Sequence, residues 1–281
     1  MLDRIVLTGA AGALGSSLRA PLAGMARALV STDLAEAPGE LLPNESWVAA
    51  DLADLAAVER LMAGATMAVH FGAIADEAPW EDIHRSNILG AYTVWEAAHR
   101  AGARRVIYAS SIHAVGMHPV TTRIGVDAPH RPDTFYGLAK CFAEDLGRLY
   151  WEKRGLECVL LRILSCTERP ENARALGSWL SRPDLARLVA RAVDAPVVGC
   201  TVAYGVSAND RAPVSNEGAG HLGYRPLDNA EAHAEAILAV SPPPDPRDPA
   251  RACHGGPFAA IPLGESGVAA IRAMAAAKAE V

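Results

Sequence analysis

The chain has 281 residues, a length that fits one large domain or a domain with a small appendage. Hydrophobic residues make up 51% and charged residues 21%, so the chain can bury a substantial core and is not a disordered protein. The formal net charge of −6 argues against a nucleic-acid partner, which would need a basic face.

Nothing in the sequence indicates a membrane segment or a metal. No apolar stretch reaches the roughly 20 residues that a membrane helix needs, and the strand-like run at residues 4–7 leaves no room for a targeting segment. The five cysteines form no C-x-x-C pair and no zinc-type spacing, and their odd number favours reduced thiols. We therefore expect a cytoplasmic protein without a metal site.

Short β-branched segments alternate with amphipathic segments from the start of the chain. In chain order, the predicted strands cover residues 5–8, 28–32, 47–50, 67–71, 106–109, 159–163 and 197–202. The predicted helices between them cover residues 14–23, 53–62, 79–101, 136–154 and 183–195. Apolar strands separated by helices are typical of a parallel sheet that is buried on both faces. The sequence therefore predicts an α/β fold with a Rossmann-type doubly wound parallel sheet.

The last third of the chain is less regular. Residues 210–226 have weak periodicity, the proline-rich run 242–246 predicts an extended connection, and the alanine-rich residues 268–279 are compatible with a helix. We interpret residues 1–165 as a nucleotide-binding core. Residues 166–281 would supply the remaining sheet elements and a small C-terminal substrate-binding cap near the carboxyl edge of the sheet, without forming an independent domain.

A glycine-rich loop joins the first predicted strand to the first predicted helix. Gly9, Gly12 and Gly15 lack Cβ atoms, so the turn can be tight and the backbone can approach a pyrophosphate at the helix N-terminus. Free N–H groups and the helix dipole favour an anion there. We predict a dinucleotide site that includes Ala13 and Leu14 of the same loop. A merely tight strand–helix turn is the alternative.

Asp33 closes the second predicted strand, 18 residues after Gly15. A carboxylate at this position accepts hydrogen bonds from a ribose 2′-hydroxyl and repels a 2′-phosphate. The residues that follow it include no arginine that would reverse this preference, so the sequence favours NAD over NADP. A solvated loop acid is the alternative interpretation of Asp33.

Further cofactor contacts are expected where other strands end. Asp51 and Leu52 close the third strand and are placed to meet the adenine, although Asp51 could instead be the N-cap of the helix over residues 53–62. Small residues after the fourth strand would let the cofactor pass. The predicted contacts at the ends of the fourth and sixth strands are Phe71, Gly72, Ala73 and Ile163.

Tyr136 and Lys140 stand four residues apart, so on a helix they share one face. A tyrosine with its ordinary pKa of about 10 is a poor base at neutral pH, and a nearby ammonium would lower that pKa. Ser111, at the end of the fifth strand, could bond a substrate oxygen, and Asn87 could anchor a water that links Lys140 to solvent. For Tyr136 alone, the alternative is a half-buried aromatic side chain on a helix.

Over residues 1–165 these motifs resemble the extended short-chain dehydrogenase/reductases of the NAD-dependent epimerase/dehydratase kind. The matching positions are the glycine loop at residues 8–15, Asp33, Asp51-Leu52, Asn87, Ser111 and the Tyr136/Lys140 pair. The resemblance implies a catalytic triad of Ser111, Tyr136 and Lys140, with Tyr136 and Lys140 also contacting the NAD.

The second half departs from the nucleotide-sugar members of that family. Those members carry R-x-x-N-x-x-G-P after the sixth strand, whereas this chain has R-I-L-S-C-T-E-R-P at residues 162–170. Several stretches instead resemble the uronate dehydrogenases: S-C-T at 165–167, Arg174, S-A-N-D at 207–210, L-G-Y-R-P at 222–226 and P-P-P-D-P at 242–246. With the first half included, this resemblance covers nearly the whole chain.

The resemblance implies NAD-dependent oxidation of the C1 hydroxyl of cyclic glucuronate or galacturonate to an aldarolactone. Tyr136 would take the hydroxyl proton while C1 gives hydride to the nicotinamide, and Ser111 would steady the oxygen. Arg174 would grip the sugar carboxylate with a two-pronged donor, or else be an exposed loop arginine. Ser165 and His113 would bond ring hydroxyls.

Two positions depart from the polar pattern of that family. Ile112 stands where an asparagine is expected, and Ala75 stands where a serine is expected. If both faced the substrate, each change would remove a hydrogen bond worth ~1–3 kcal/mol when its partner is left unpaired. Either the sugar is positioned differently, or the substrate is a relative of uronates.

Two other functions stay open at this point. One is a sugar or nucleotide-sugar oxidoreductase or epimerase of the same fold, and the other is a catalytically silent dinucleotide sensor. The expected partner is a small sugar acid, without nucleic acid or membrane. We also expect a homo-oligomer, because the helices over residues 79–101 and 136–154 are the usual dimerising faces of this fold.

Overall fold

The structure, a computed structural model, describes residues 1–241 and 247–269. The strands are β1 (Leu2–Thr8), β2 (Ala26–Asp33), β3 (Glu45–Ala49), β4 (Met67–His70), β5 (Arg105–Ser111), β6 (Glu157–Ile163), β7 (Ser165–Cys166), β8 (Trp179–Leu180) and β9 (Cys200–Gly205). The helices are α1 (Gly15–Ala23), α2 (Leu55–Met62), α3 (Trp80–Ile83), α4 (Gly90–Arg100), α5 (Phe135–Arg154), α6 (Ala175–Ser178), α7 (Arg182–Asp194), α8 (Ala234–Val240) and α9 (Pro249–Ala252).

The main sheet of the described residues has seven parallel strands in the order β3-β2-β1-β4-β5-β6-β9. The order reverses between β1 and β4, so the chain winds outward in one direction and then in the other. In such sheets this reversal opens a crevice outside the carboxyl ends of the strands, where ligands bind. The predicted Rossmann-type doubly wound fold is confirmed.

Helices cover both faces of the sheet, and strand β1 shows how the core is divided. Ile5 and Leu7 pack in a buried cluster with residues of α1 and α7, whereas Val6 between them packs with residues of α2 and α4. Successive side chains of a strand point to opposite faces, which explains this division. Every residue of β5 and β6 is buried, as expected for central strands of a parallel sheet.

The strand predicted over residues 197–202 lies three residues further along the chain, as β9. The reason is a side chain at the start of β6. Glu157 Oε1 accepts hydrogen bonds from the N–H groups of Val198 (2.8 Å) and Gly199 (3.3 Å). Because these donors are engaged by a carboxylate, the β-branched residues around them stay outside the sheet.

The helix predicted over residues 79–101 consists of three consecutive pieces. Helix α3 is followed by a π-helical segment, His84–Leu89, and then by α4. The wider turn of a π-helix is often found at functional sites, and here it contains Asn87. The proline-rich run 242–246 and most of residues 268–279 lie outside the described residues.

Candidate active site

A cavity of about 1050 Å³ lies at the carboxyl ends of the strands, where the sheet order reverses. This volume exceeds the range of roughly 300–1,000 Å³ that is usual for small-molecule sites. The predicted residues that line it are Gly9, Gly12, Ala13, Leu14, Gly15, Asp33, Asp51, Leu52, Phe71, Gly72, Ala73, Ala75, Ser111, His113, Tyr136, Lys140 and Ile163. The predicted residues that do not line it are Asn87, Ile112, Ser165 and Arg174.

The glycine loop has no room for side chains. Gly9 has a positive φ of +70°, and a Cβ atom on it would fall 2.5 Å from the carbonyl carbon of Phe71, at the end of the neighbouring strand β4. A Cβ atom on Gly15 would fall 2.0 Å from the carbonyl oxygen of Gly9. Both distances are shorter than any real Cβ contact, so the backbone of the loop forms the wall of the cavity.

This loop fits a pyrophosphate. Among the described residues, the N–H groups of Ala13 and Leu14 donate no hydrogen bond, and they precede the first turn of α1, which begins at Gly15. Helix N-termini bind phosphates through such free N–H groups. Arg182, the first residue of α7, donates a hydrogen bond to the carbonyl oxygen of Ala13. Sequence reasoning missed this cation because it comes from a distant helix.

Asp33 ends strand β2 and is held in one orientation. Its Oδ2 accepts a hydrogen bond from Ala11 N (3.0 Å), and its Oδ1 accepts one from Leu34 N (2.8 Å). The neighbouring Thr32 hydroxyl is buried and has no partner among the described residues. A fixed carboxylate at the cavity wall suits the diol of a ribose and repels an added phosphate.

Asp51 is not a helix N-cap. Asp54 caps α2 by accepting a hydrogen bond from Ala57 N at 3.2 Å, because the helix begins at Leu55 rather than at residue 53. Asp51 Oδ1 accepts from Ala53 N at 2.9 Å, and its Oδ2 pairs with Arg85 of the π-helical segment. The N-cap alternative is therefore wrong, and Asp51 remains a residue of the cavity wall.

Tyr136 and Lys140 lie on the first turns of α5. The helix is capped by Thr134, whose Oγ1 accepts a hydrogen bond from Gly137 N at 2.9 Å. Lys140 Nζ donates to the carbonyl oxygen of Ala109 at 2.7 Å and lies 5.2 Å from the centre of the Tyr136 ring. Since Ala109 and Ser111 both belong to β5, the predicted triad is assembled between one helix and one strand end.

Burial shifts the pKa values of Tyr136 and Lys140 in opposite directions. It raises the pKa of Tyr136 to about 12, and a hydrogen bond from Ser111 only partly offsets the effect. Burial also lowers the pKa of Lys140 to about 7, although the Glu144 carboxylate opposes it. The expectation that the Lys140 ammonium lowers the tyrosine pKa is therefore not met in the protein alone, because burial disfavours both charged forms.

Asn87 is hydrogen-bonded to the loop that follows β4. Its Oδ1 accepts a hydrogen bond from Ile74 N and its Nδ2 donates to Ile74 O, both at 2.9 Å. The side chain is buried and does not reach the cavity. The amide thus holds the loop after β4 in place, beside Ala73 and Ala75 of the cavity wall.

Arg174 lies next to Ser165, as the predicted sugar site requires. Its Nη1 donates to Ser165 Oγ (2.9 Å), its Nη2 donates to the carbonyl oxygen of His254 (2.7 Å), and none of the described carboxylates forms a hydrogen bond with it. Burial lowers its pKa to about 10, while the charge of Asp133 opposes this shift. The guanidinium is therefore still protonated at neutral pH.

The C-terminal segment, residues 254–269, brings Phe258 to the site. The Phe258 ring stacks on the His113 ring with centroids 4.2 Å apart, and His113 makes an edge contact with the Tyr136 ring at 5.7 Å. His113 Nδ1 lies 2.7 Å from Asp133 Oδ2. Sequence reasoning missed Asp133 and Phe258. Asp133 could have been predicted to lie near the site because it stands three residues before Tyr136, whereas no local sequence pattern indicates Phe258.

The loop after β4 ties the C-terminal segment to the first turn of α5. Glu77 is buried, and its two carboxylate oxygens accept hydrogen bonds from Tyr136 N and Gly264 N, both at 2.8 Å. Asp76 Oδ1 accepts from Gly267 N at 2.9 Å. Residues 264–267 are thus anchored on the same two acids that precede α3.

The two unusual positions have different surroundings. Ile112 is only 2% exposed and packs in a hydrophobic cluster with Val115, Tyr204 and Val206, so it faces the core and not the cavity. Ala75 lines the cavity. Of the two departures from the family's polar pattern, only the one at Ala75 changes the cavity wall.

Within residues 1–241 and 247–269, no group of histidine, cysteine or acidic side chains is arranged to hold a metal ion. None of the helices in the same residues is long and apolar enough to cross a membrane.

Comparisons with known proteins find relatives over most of the chain. A sequence model of the NAD dependent epimerase/dehydratase family matches residues 5–167. The chain is 45% identical to the uronate dehydrogenase of Agrobacterium fabrum (strain C58) over 93% of this chain and 98% of that protein. It is similar to a crystal structure of glucuronic acid dehydrogenase from Chromohalobacter salexigens, with a TM-score of 0.90 and 43% identity, covering 93% and 98% of the two chains. A uronate dehydrogenase from Agrobacterium tumefaciens, in a tyrosine-to-alanine mutant complexed with NAD, gives a TM-score of 0.88 at 44% identity, covering 93% and 98% of the two chains.

Proposed function

The chain belongs to the NAD-dependent epimerase/dehydratase family and, within it, to the uronate dehydrogenases, and from this premise we propose that it oxidises the C1 hydroxyl of a cyclic hexuronate to the aldarolactone. One observation carries the proposal. Arg174 is a protonated guanidinium that forms no hydrogen bond with any described carboxylate, and its partner Ser165 follows directly after Leu164 of the cavity wall. A half-buried guanidinium that is hydrogen-bonded to no described carboxylate is suited to a ligand that brings its own carboxylate.

The residues of the cavity fit NAD. The glycine loop and the N–H groups of Ala13 and Leu14 would hold the pyrophosphate, Asp33 would hold the adenosine ribose, and the loop after β4 would border the nicotinamide half. When bound there, NAD accepts the hydride that leaves the sugar.

The protein's own groups manage the proton. Tyr136 Oη would accept the proton of the C1 hydroxyl as that oxygen becomes the lactone carbonyl, and Ser111 Oγ would donate a hydrogen bond to the same oxygen. Lys140 Nζ lies beside the Tyr136 ring, where its ammonium form would stabilise the phenolate. Because the tyrosine pKa is raised by burial, both helpers are needed to make this residue a base.

The sugar would lie between Tyr136 and the C-terminal segment. Arg174 would bind its carboxylate, with Ser165 beside it, and His113 would bond a ring hydroxyl. Residues 166–281 would thereby act as a substrate-binding cap that completes the sheet and does not stand as a domain of its own. We place the enzyme in the cytoplasm.

We also propose a homo-oligomer that uses α4 and α5. Exposed apolar side chains follow one side of these helices: Tyr92, Leu138, Phe142 and Leu149, which are 37–50% exposed. Such a stripe is well suited to a second copy of the same helices. Light scattering on the purified protein, with Leu149→Glu as the interface variant, would test this; an unchanged mass for the variant would contradict it.

One experiment tests the activity. NADH absorbance is followed after NAD is mixed with D-glucuronate, D-galacturonate, the matching neutral aldoses or UDP-glucose. We expect NADH with both uronates, little with the neutral aldoses and none with the nucleotide sugar. NADH formed with UDP-glucose but not with uronates would indicate a nucleotide-sugar oxidoreductase, and tight NAD binding without any turnover would indicate a dinucleotide sensor.

A further inference from the structure

Asp133 is a carboxylate enclosed by glycines beside the active site. Its side chain has no exposed surface, and Cβ atoms on Gly116 and Gly255 would fall 1.9 and 1.8 Å from its Oδ2. These two glycines are joined by a hydrogen bond from Gly255 N to Gly116 O at 2.8 Å. The Asp133 carboxylate therefore fits only because positions 116 and 255, which pack against it, carry no side chain.

The hydrogen bonds around Asp133 have a fixed direction. Gly137 N can only donate, and it donates to Thr134 Oγ1 at 2.9 Å. The Thr134 hydroxyl then uses its own proton to donate to Asp133 Oδ1, also at 2.9 Å. The other oxygen, Oδ2, faces His113 Nδ1 at 2.7 Å. Because an ionised carboxylate only accepts, the proton of that last bond must lie on Nδ1.

The His113 ring has one polar atom left for the cavity. His113 lines the cavity, Phe258 stacks on its face at 4.2 Å, and none of the described residues forms a hydrogen bond with Nε2. The stack fixes the plane of the ring, and Asp133 fixes its rotation within that plane. With Nδ1 protonated, a neutral ring carries an acceptor at Nε2.

We propose that Asp133 is a positioning residue, which holds the proton of His113 on Nδ1 so that Nε2 accepts a hydrogen bond from a substrate hydroxyl. This inference rests on the proposed function, since it specifies how the sugar is recognised. It makes His113 selective for a group that can donate a proton. A substituent of the sugar that can only accept a hydrogen bond would face the lone pair of His113 Nε2 and would be rejected.

The variant Asp133→Asn reverses the polarity of this contact without a change of size. The Thr134 hydroxyl would keep its bond by facing the amide oxygen, which turns the amide NH₂ towards His113 Nδ1. Nδ1 must then accept, and the ring proton moves to Nε2, which can no longer accept a hydrogen bond from the substrate hydroxyl. We expect kcat/KM for hexuronates to fall roughly 10- to 100-fold, as for one mismatched polar contact, with NAD binding unchanged. Asp3→Asn, a charge change on the exposed surface, is the control.

A second variant separates positioning from a structural role. In Asp133→Asn/Thr134→Val no hydroxyl fixes the amide, which can turn its oxygen back to Nδ1. The double variant loses the cap of α5 and should melt at a lower temperature than Asp133→Asn, yet recover part of the lost activity. If activity falls together with the melting temperature, Asp133 acts only through stability and the proposal is overturned.

The substrate side is tested with deoxyfluoro hexuronates, in which fluorine replaces the C2, C3 or C4 hydroxyl and cannot donate. At one of these positions the wild type should discriminate strongly against fluorine, and Asp133→Asn should discriminate much less. Equal discrimination by both proteins at all three positions would overturn the proposal. A wild type without uronate activity would refute the proposed function itself. If the wild type is active and the kcat/KM of Asp133→Asn lies within about twofold of it, the effect is smaller than one hydrogen bond is worth. That result would refute only this inference.

A measurement on the wild type does not depend on variant folding. Nitrogen-15 NMR of the histidine-labelled NAD complex at pH 8, assigned with His113→Gln, reports which ring nitrogen carries the proton. We expect a protonated Nδ1 and an unprotonated Nε2 for His113. The opposite tautomer would overturn the proposal.

Discussion

Gly256 lies directly against the guanidinium group of Arg174. A Cβ atom at position 256 would fall 2.5 Å from Arg174 Nε and 3.0 Å from its Cζ, and the backbone of Gly256 has a left-handed φ of +63°. The same segment accepts the Arg174 Nη2 hydrogen bond through the carbonyl oxygen of His254. The position of Arg174, the proposed carboxylate-binding residue, is therefore set by the backbone of a segment that begins 80 residues further along the chain.

Gly256→Ala is expected to displace the Arg174 side chain. It should raise the KM for hexuronates with a smaller effect on kcat, because the carboxylate contact moves while Tyr136 stays in place. The left-handed backbone should also cost ~1–2 kcal/mol of stability. Gly102→Ala is the matched control, since Gly102 has φ +70° and no atom within 4 Å of its Cβ position. The control should lose similar stability and keep its KM; a raised KM in both variants would contradict the contact.

Arg174→Ala is expected to raise the KM for a hexuronate by roughly 10- to 100-fold, the worth of a charge-assisted hydrogen bond. The matching neutral aldose should be affected far less, because it has no carboxylate for the guanidinium to hold. Steady-state kinetics on the two sugars measures the difference. Equal losses for both would show that Arg174 does not bind the carboxylate.

Lys140→Met is expected to stabilise the protein without ligands, and more at pH 6 than at pH 9. Burial lowers the Lys140 pKa to about 7, whereas in the unfolded chain it is about 10.4. Below pH 7 the folded protein must bury an ammonium. Between these two values the unfolded chain binds more protons, so wild-type stability rises with pH. The gain from the variant, measured by denaturant unfolding, should be larger at pH 6 by about 3 kcal/mol. A gain that is equal at both pH values would contradict the lowered pKa.

Tyr136→Phe is expected to reduce turnover by roughly 100- to 10,000-fold, the usual contribution of a general base. NAD binding, followed by protein fluorescence, should be nearly unchanged, since the ring and its contacts remain. Tyr92→Phe removes a hydroxyl from an exposed tyrosine of α4 and serves as the comparison. Unchanged turnover in Tyr136→Phe would rule out its role as the base.

The strands of this fold could be predicted because they are short apolar runs between helices, and the order of such βαβ units leaves few topologies. Strand β9 was misplaced because local β propensity does not reveal a competing acceptor. The Glu157 carboxylate withdraws the N–H groups of Val198 and Gly199 from the sheet, although it is more than 40 residues away in the chain. The π-helical segment around Asn87 likewise has the same hydrophobic pattern as a continuous helix.

The two halves of the site differ in how far the sequence predicts them. The cofactor half follows from residues placed at strand ends, whose meeting at one edge of the sheet is a property of the fold. The proposed sugar half depends on where the chain returns after α9, and no local pattern indicates that Phe258 will stack on His113. Protonation was also not predictable, since the pKa of Tyr136 depends on how deeply the assembled site buries it.

The anchoring of the C-terminal segment on Asp76 and Glu77 has a consequence for protein engineering. Glu77 holds Gly264 with one oxygen and the first turn of the catalytic helix with the other. A chimera that takes only this segment from a relative would leave the buried Glu77 carboxylate short of one donor wherever the new backbone does not place an N–H at the position of Gly264 N. Exchanges intended to change specificity should therefore carry the loop at residues 76–77 together with the segment, as one transferable unit.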